Sequence, residues 1–282
     1  MNVVLPTETK ISKTRKIIYI SIGIICGIAA IITMYVQFIR GSNIELRIGN
    51  NDMSEDEYQE LKGQFDSVFT NNLTKIDQTE YGKHYDTKDL VFTGYKKQET
   101  KDEEYNVNVN IPYINIKNDK TIEYNKEIIS TFQNKAETIL NAENRKNVIY
   151  TVEYSAYVED GILSLIIRSN LKEGTSTQRI IVQTYNYDLI NNKEVTIDQM
   201  LNLKQIDISN ANNKIKNEIK EAQEQVKELK NLGYSIYERN PDDEKYKIEN
   251  ATEFFLGNDQ NLYIIYAYGN EEFTNEMDLV IF

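Results

Sequence analysis

Along this chain the apolar residues come first as one unbroken run and then in two alternating rhythms. From Ile17 to Ile39 no position is charged and none is proline. A helix over that run, at roughly 1.5 Å per residue, is about 34 Å long, enough to cross a hydrocarbon core of about 30 Å. Only a helix closes its own backbone hydrogen bonds in lipid, so residues 17–39 are expected to form a transmembrane helix. A cleaved signal peptide is the competing reading. Against it, the run exceeds the roughly 7–15 apolar residues of a signal core. Ala29 and Ala30 also lie inside the run rather than after it, and Cys26 follows Gly23-Ile24-Ile25 rather than a small residue.

Beyond the run the periods take over. Ile44, Leu46 and Ile48 alternate within a polar juxtamembrane linker, residues 40–53. Ser54 and Glu57 have capping-box spacing, and Tyr58, Leu61, Phe65, Val68 and Phe69 fall on one helical face, predicting a helix from Ser54 to Thr70. Residues 71–89 read as loop. Val107, Val109 and Ile111 alternate up to Pro112, with Ile114 and Ile116 after it, an edge strand or a bent one. From Asp119 the period lengthens into a helix through Leu140. Period two returns at Val148, Tyr150, Val152, Tyr154, Ala156 and Val158. Turns at Asp160-Gly161 and Glu173-Gly174 then make three successive antiparallel strands.

After a turn at Asn191-Asn192-Lys193, residues 195–201 lead to the longest helix, built on Ile208, Ala211, Ile215, Ile219, Ala222, Val226 and Leu229 and closed near Gly233. It lies across a sheet or forms a short coiled coil. Residues 253–256, 262–268 and 277–282 close the chain as strands, the first two joined at Asn258-Asp259. The mixed order predicts an α+β fold, an antiparallel sheet with packed helices. The organisation expected is a cytoplasmic stub (1–16), the transmembrane helix (17–39), the linker (40–53), an N-terminal extension with one helix (54–104) and an α+β extracytoplasmic domain (105–282).

Charge orients this arrangement. The stub has Lys10, Lys13, Arg15 and Lys16 against Glu8, while Arg40 and Arg47 are the only cations near the other end. By the positive-inside rule the N-terminus is cytoplasmic and the C-terminal domain extracellular. The stub carries +3, so of the chain's net −12 the rest carries −15. Such a domain repels nucleic acid and anionic lipid and suits a basic protein or a cation, although solubility alone accounts for acidity too. Abundant Asn, Lys, Ile and Tyr with three prolines fit an AT-rich bacterial genome.

Composition leaves little for chemistry. Cys26 lies in the apolar run and is the only cysteine, and His84 is the only histidine, which excludes a disulfide in the outer domain, a His-Cys-Asp triad, a multi-histidine zinc site and most histidine-based proton shuttles. The acid clusters Glu55-Asp56-Glu57, Asp102-Glu103-Glu104 and Asp242-Asp243-Glu244 lack calcium-loop spacing and read as solvated turns or helix starts. Tyr150, Tyr154, Tyr185, Tyr187, Tyr263, Tyr266 and Tyr268 all fall in predicted strands. They form either cross-strand packing or an exposed platform for sugars or a partner. No catalytic, cofactor-binding or metal-ligating residue and no cofactor is expected.

Thr184–Asn202 contains Tyr185, Asn186 and Asp188 at the end of a strand, then a turn, then Val195, Ile197, Met200 and Leu201. This pattern resembles the extracytoplasmic domain of lysozyme-sensing anti-sigma factors, and a domain that precedes some peptidoglycan deacetylases. Residues 253–269 resemble that family's closing hairpin and residues 111–116 its entry. Where the family often carries a histidine-containing turn, this chain has Glu173-Gly174-Thr175-Ser176-Thr177. The resemblance covers roughly residues 105–282. It implies a sensing or binding module without a sigma-factor clasp in the stub or a deacetylase domain after Phe282. The expectation is a single-pass membrane protein of a bacterial cell envelope that contacts the bilayer through residues 17–39. It binds a basic envelope protein such as lysozyme, or peptidoglycan; a wall hydrolase or deacetylase and a passive scaffold are the alternatives.

Overall fold

The computed structural model describes residues 54–70, 89–269 and 274–282. The expected transmembrane helix at 17–39, the linker and His84 lie outside the described residues. Among the described residues no helix is long and apolar enough to cross a membrane.

The fold is α+β, with two sheets. Helix α1 (Glu55–Gly63) begins at the expected capping box: Ser54 Oγ accepts from Glu57 N, and the Glu57 carboxylate accepts from Ser54 N. The helix stops at Gly63, short of Thr70, because Gln64 closes it with a bond shared between the Glu60 and Leu61 carbonyls. A 3₁₀ turn, Phe65–Thr70, follows and aims Phe65 and Phe69 into the interior. Strands β1 (Val91–Lys101) and β2 (Tyr105–Ile114) form an antiparallel hairpin. Its turn places Glu103 at φ 62°. β1 thus pairs, along its length, with the first strand of the region expected to start at 105.

Pro112 belongs to the bent alternative. It faces a register shift in β1 between Thr93 and Tyr95, beyond the stretch where β2 pairs with its other neighbour. Gly94 sits at that shift, where a Cβ would come within 2.8 Å of the Tyr113 Cβ. Helix α2 (Asp119–Ile128), a π turn (Ile129–Gln133) and helix α3 (Asn134–Asn141) then carry the chain back across the sheet. Strand β3 (Val148–Glu159) therefore runs parallel to β2, and the expected all-antiparallel sheet is corrected to a mixed one. Periodicity gives a strand its faces but not its direction; the crossover helix sets that. Where the β3 pairing ends, the Asn125 side chain stands in for a strand, its Oδ1 accepting from Ile114 N and its Nδ2 donating to Ile114 O.

Strands β3, β4 (Ile162–Glu173) and β5 (Arg179–Asp188) are successive and antiparallel, as expected. At the first hairpin Asp160 and Gly161 both have positive φ, 51° and 74°, as a two-residue primed turn requires. Short β6 (Lys193–Glu194) completes a sheet in the order β1-β2-β3-β4-β5-β6. Helix α4 (Ile197–Leu203) starts at a second capping box, Thr196 with Gln199. Helix α5 (Ile208–Asn231) ends at Gly233, φ 89°, with Gly233 N donating to Lys230 O and Tyr234 N to Leu229 O. The second sheet is β7 (Glu253–Leu256), β8 (Leu262–Ala267) and β9 (Met277–Ile281), all antiparallel.

The layers run helix, sheet, sheet, helix. One face of the six-stranded sheet, with Val152, Tyr154, Leu165 and Tyr185, packs on Ile128, Phe132, Ala136 and Ile139. Its other face, through Tyr157, Ile166 and Val182, meets Phe255, Tyr263, Ile265 and Leu279 of the small sheet, with Tyr58, Phe65 and Phe69 wedged alongside. The far face of the small sheet, Phe254, Leu256, Ile264 and Val280, is covered by Ala211, Ile215 and Ile219 of α5. This is the helix-across-a-sheet reading.

Candidate functional site

The two sheets meet through a polar seam. β7 pairs with β8 on one side only, and its other edge would be left with bare main-chain groups inside the protein. Side chains of β4 and β5 supply the partners. Asn186 Nδ2 donates to Phe254 O at 2.7 Å, Thr184 Oγ1 accepts from Phe254 N at 3.0 Å, and Ser164 Oγ accepts from Leu256 N at 3.0 Å. Ser164 Oγ in turn donates to Asn186 Oδ1 at 2.6 Å. Asn186 and Ser164 are both buried. The Asn of the Tyr-Asn-x-Asp segment is thus a bridge between sheets, while its Asp188 folds the following turn by accepting from Ile190 N and Asn191 N.

At the end of this seam lies Glu253. The open edge of β5 presents Thr184 N, which donates to Glu253 Oε2 at 2.6 Å; Thr184 Oγ1 donates to the same oxygen at 3.1 Å. Helix α2 overhangs the same edge from the opposite face. Tyr124 stacks on Tyr185 with ring centroids 4.3 Å apart, and Gln183 Nε2 reaches Glu127 Oε1 at 3.5 Å. Two groups here have no partner: the Tyr124 hydroxyl and Gln183 Oε1 are both shut off from solvent without a hydrogen bond. Burial pushes the Glu253 carboxyl up to about 7, with the charge of Glu127 adding to the rise and the two Thr184 bonds opposing it. Burial also raises the Tyr124 hydroxyl well above its ordinary range, and the charges that reinforce it are Glu253, Glu127 and Glu194. The niche is half-buried, acidic and rich in acceptors.

A second buried ionic cluster makes the contrast. Arg239 Nε donates to Asp278 Oδ2 at 2.6 Å and its Nη1 to Glu276 Oε2 at 2.9 Å, while the Tyr268 hydroxyl donates to Asp278 at 2.7 Å. Burial disfavours the Arg239 charge, but Asp278 and Glu276 outweigh it and hold the guanidinium above its usual range. Here the acids have their cation, and the cluster ties the segment after α5 to the start of β9. Glu253 has no such partner acting on it.

The residues singled out in the sequence are placed differently from Glu253. Glu55-Asp56-Glu57 occupy the first turn of α1. Glu104, in the β1–β2 turn, pairs with Lys101 at 2.7 Å and with Arg145 at 3.3 Å. Asp242 pairs with Lys216, and Glu244 with Lys247. Among the described residues no three potential ligands gather as a metal site. All seven tyrosines expected in strands are buried, from Tyr154 at 1 % exposure to Tyr266 at 8 %, with Tyr268 just past the end of β8, so the exposed-platform alternative is corrected to cross-strand and inter-layer packing. Sequence reading missed Tyr124, Gln183 and Glu253, which come from three distant elements. The one local signal was a carboxylate heading an otherwise apolar strand, Glu253-Phe254-Phe255-Leu256.

No family model matches the chain, and no curated protein matches it. Among solved structures, a DUF3298 family protein from Pseudomonas aeruginosa is 12 % identical, covering 66 % of this chain and 84 % of that one, with a TM-score of 0.37. A member of the DUF3298 family from Bacteroides fragilis is 15 % identical, covering 57 % of this chain and 74 % of that one, with a TM-score of 0.30. Overlap at this level defines neither a shared family nor a shared function.

Proposed function

We propose that the protein is a membrane-anchored extracytoplasmic binding or sensing module of a bacterial cell envelope, with a protein or a wall glycan as its ligand. The observation that carries the reading is Glu253, a half-buried acid with no cation beside it, in contrast to Asp278 and Glu276, which are paired with Arg239. An acid whose carboxyl is pushed up by burial and that sits at an open strand edge is the kind of group found at binding sites, although it also accepts from Thr184 there. The apolar run at 17–39, the basic stub and the net −15 beyond it support an anchored, outward-facing domain that attracts a basic protein such as lysozyme. Titrating the full chain in detergent with lysozyme by calorimetry, beside an equally basic unrelated protein, tests it. Heat with lysozyme alone is expected; no heat, or equal heat with both, overturns the lysozyme assignment.

One observation favours a second reading. Burial holds the Glu253 carboxyl up at about 7, and the charge of Glu127 acts on it; a wall hydrolase works with two carboxyls, one of them kept protonated. Release of soluble fragments from peptidoglycan by the full chain, lost in Glu253→Gln, would establish that reading in place of binding.

A further inference from the structure

We propose that the open part of the six-stranded sheet, across β1 to β4, is a docking surface for a glycan strand of acetamido sugars, the chemistry of peptidoglycan. The proposal deepens the glycan arm of the binding reading and rests on it only for placing such a strand within reach. One face of this sheet is covered by α2 and α3. The small sheet and the Phe65–Thr70 turn cover part of the other, over Tyr157, Ile166 and Val182. Beyond them the strand register sets Gln98, Asn108, Thr151 and Asn170 side by side in one row. Thr100, Asn106, Ile149 and Lys172 make the next row. All eight are exposed or half-exposed, and Ile149 is 44 % exposed. With strands about 4.8 Å apart and rows roughly 6.7 Å apart, the surface is an open lattice of polar side chains.

A sheet face can simply meet water, but this one is built against strand preference. Asparagine is disfavoured in strands because its short amide competes for nearby main chain. The described strands contain Asn106, Asn108, Asn110, Asn170 and Asn186. Asn186 has its task as the bridge between sheets, and the other four all lie on the open face, three of them at successive outward positions of β2. No structural task accounts for these four. Asn108 and Asn110 bond no other side chain, while Asn106 and Asn170 only accept, from Thr100 Oγ1 and Gln178 Nε2, at 3.3 Å each. A local rule broken without a structural gain points to a ligand. Side-chain amides offer donor and acceptor together and match hydroxyl and acetamido groups, with Ile149 against a sugar ring. A protein partner needs an apolar centre, which one isoleucine does not supply. Charge agrees: Glu153 is taken up by Arg168, while Lys96 and Lys172 form no ion pair. The face is therefore net positive in a domain of net −15, suited to the sparse carboxylates of wall peptides, whereas the domain as a whole repels nucleic acid.

The test is co-sedimentation of the full chain in detergent with purified peptidoglycan, with chitin, and with cellulose. Peptidoglycan and chitin carry acetamido groups and cellulose only hydroxyls, so retention is expected on the first two and not on the third. The double variant Gln98→Glu with Asn108→Asp keeps the shape of the face and replaces amide donors by charge. It should lower retention on peptidoglycan and chitin by at least about tenfold while the melting temperature stays that of the wild type. Asn217→Asp, the same change of charge at an exposed position of α5, should bind as the wild type does. Lys96→Gln with Lys172→Gln should weaken retention on peptidoglycan several-fold and leave chitin unaffected. No retention on peptidoglycan, cellulose retained as well as chitin, or a double amide variant that binds undiminished would each overturn the proposal. In the last case wall binding itself would stand and belong to another surface. The lysozyme titration is independent, since a negative result there leaves the open face and its sedimentation test untouched.

Discussion

The chemistry of this domain turns on a few polar side chains placed where main chain runs out. Asn186 serves both sheets at once, accepting from Ser164 Oγ and donating to Phe254 O. Asn186→Ala would strand both groups in the interior and should cost about 2–4 kcal/mol, measured by denaturant unfolding. A loss below about 1 kcal/mol would mean that the seam is wet. Glu253 makes a different prediction, with a sign that follows from burial. Its folded carboxyl titrates at about 7 against an ordinary 4.5, so the folded state holds the proton more tightly than the unfolded state does. The stability this gives is fully present below pH 4.5 and is lost as pH rises through 7. Glu253→Gln keeps an amide oxygen for Thr184 and removes the titration. It should match the wild type near pH 4 and exceed it by on the order of 2 kcal/mol at pH 8. Parallel stability curves for the two proteins would refute the assignment.

At the scale of elements, sequence legibility follows the physics of each segment. The Ser54 capping box, the Asp160-Gly161 turn, the β3–β5 meander and the glycine stop of α5 depend on residues within a few positions of one another, and all were readable; the second box, Thr196 with Gln199, was missed. β1 was not. Its inward positions include Tyr95, Lys97 and Glu99, whose stems cover the core while their polar ends pair outward: the Tyr95 hydroxyl with Glu137, Lys97 with Glu99. Period two is there, but not in a hydropathy pattern; lysines on an edge strand also discourage further pairing. The parallel β2–β3 pair and the niche were invisible for another reason, since both depend on where the crossover helix lands. The register of β3 is directly testable. Val152 is 1 % exposed, and Val152→Asp should cost more than about 3 kcal/mol by burying an unpaired charge. The alternation alone makes Glu153 a surface position. In the fold, however, its carboxylate accepts from Arg168 Nε and Nη2 at 2.9 and 2.6 Å, and Arg168 lies over the Phe69 ring. Glu153→Lys should therefore cost about 1 kcal/mol rather than nothing. Equal melting temperatures for the two variants would place the register one residue off.

For the whole molecule, the excess of acid beyond residues 17–39 bears on how a partner arrives rather than on how tightly it stays. Some of that charge is neutralised in place: Arg239 takes up Asp278 and Glu276, and Arg168 takes up Glu153. Much of the rest lies on exposed helix faces and turns, where it acts through solvent. Fields of this kind reach about 8 Å at physiological salt and steer diffusional encounter, and they are screened as salt rises. If a basic envelope protein is the ligand, its association with the full chain should slow by at least tenfold between roughly 0.05 M and 0.5 M salt, while dissociation changes less. Stopped-flow kinetics across the salt series measures both rates, and an on-rate flat in salt would reduce the domain's acidity to a matter of solubility.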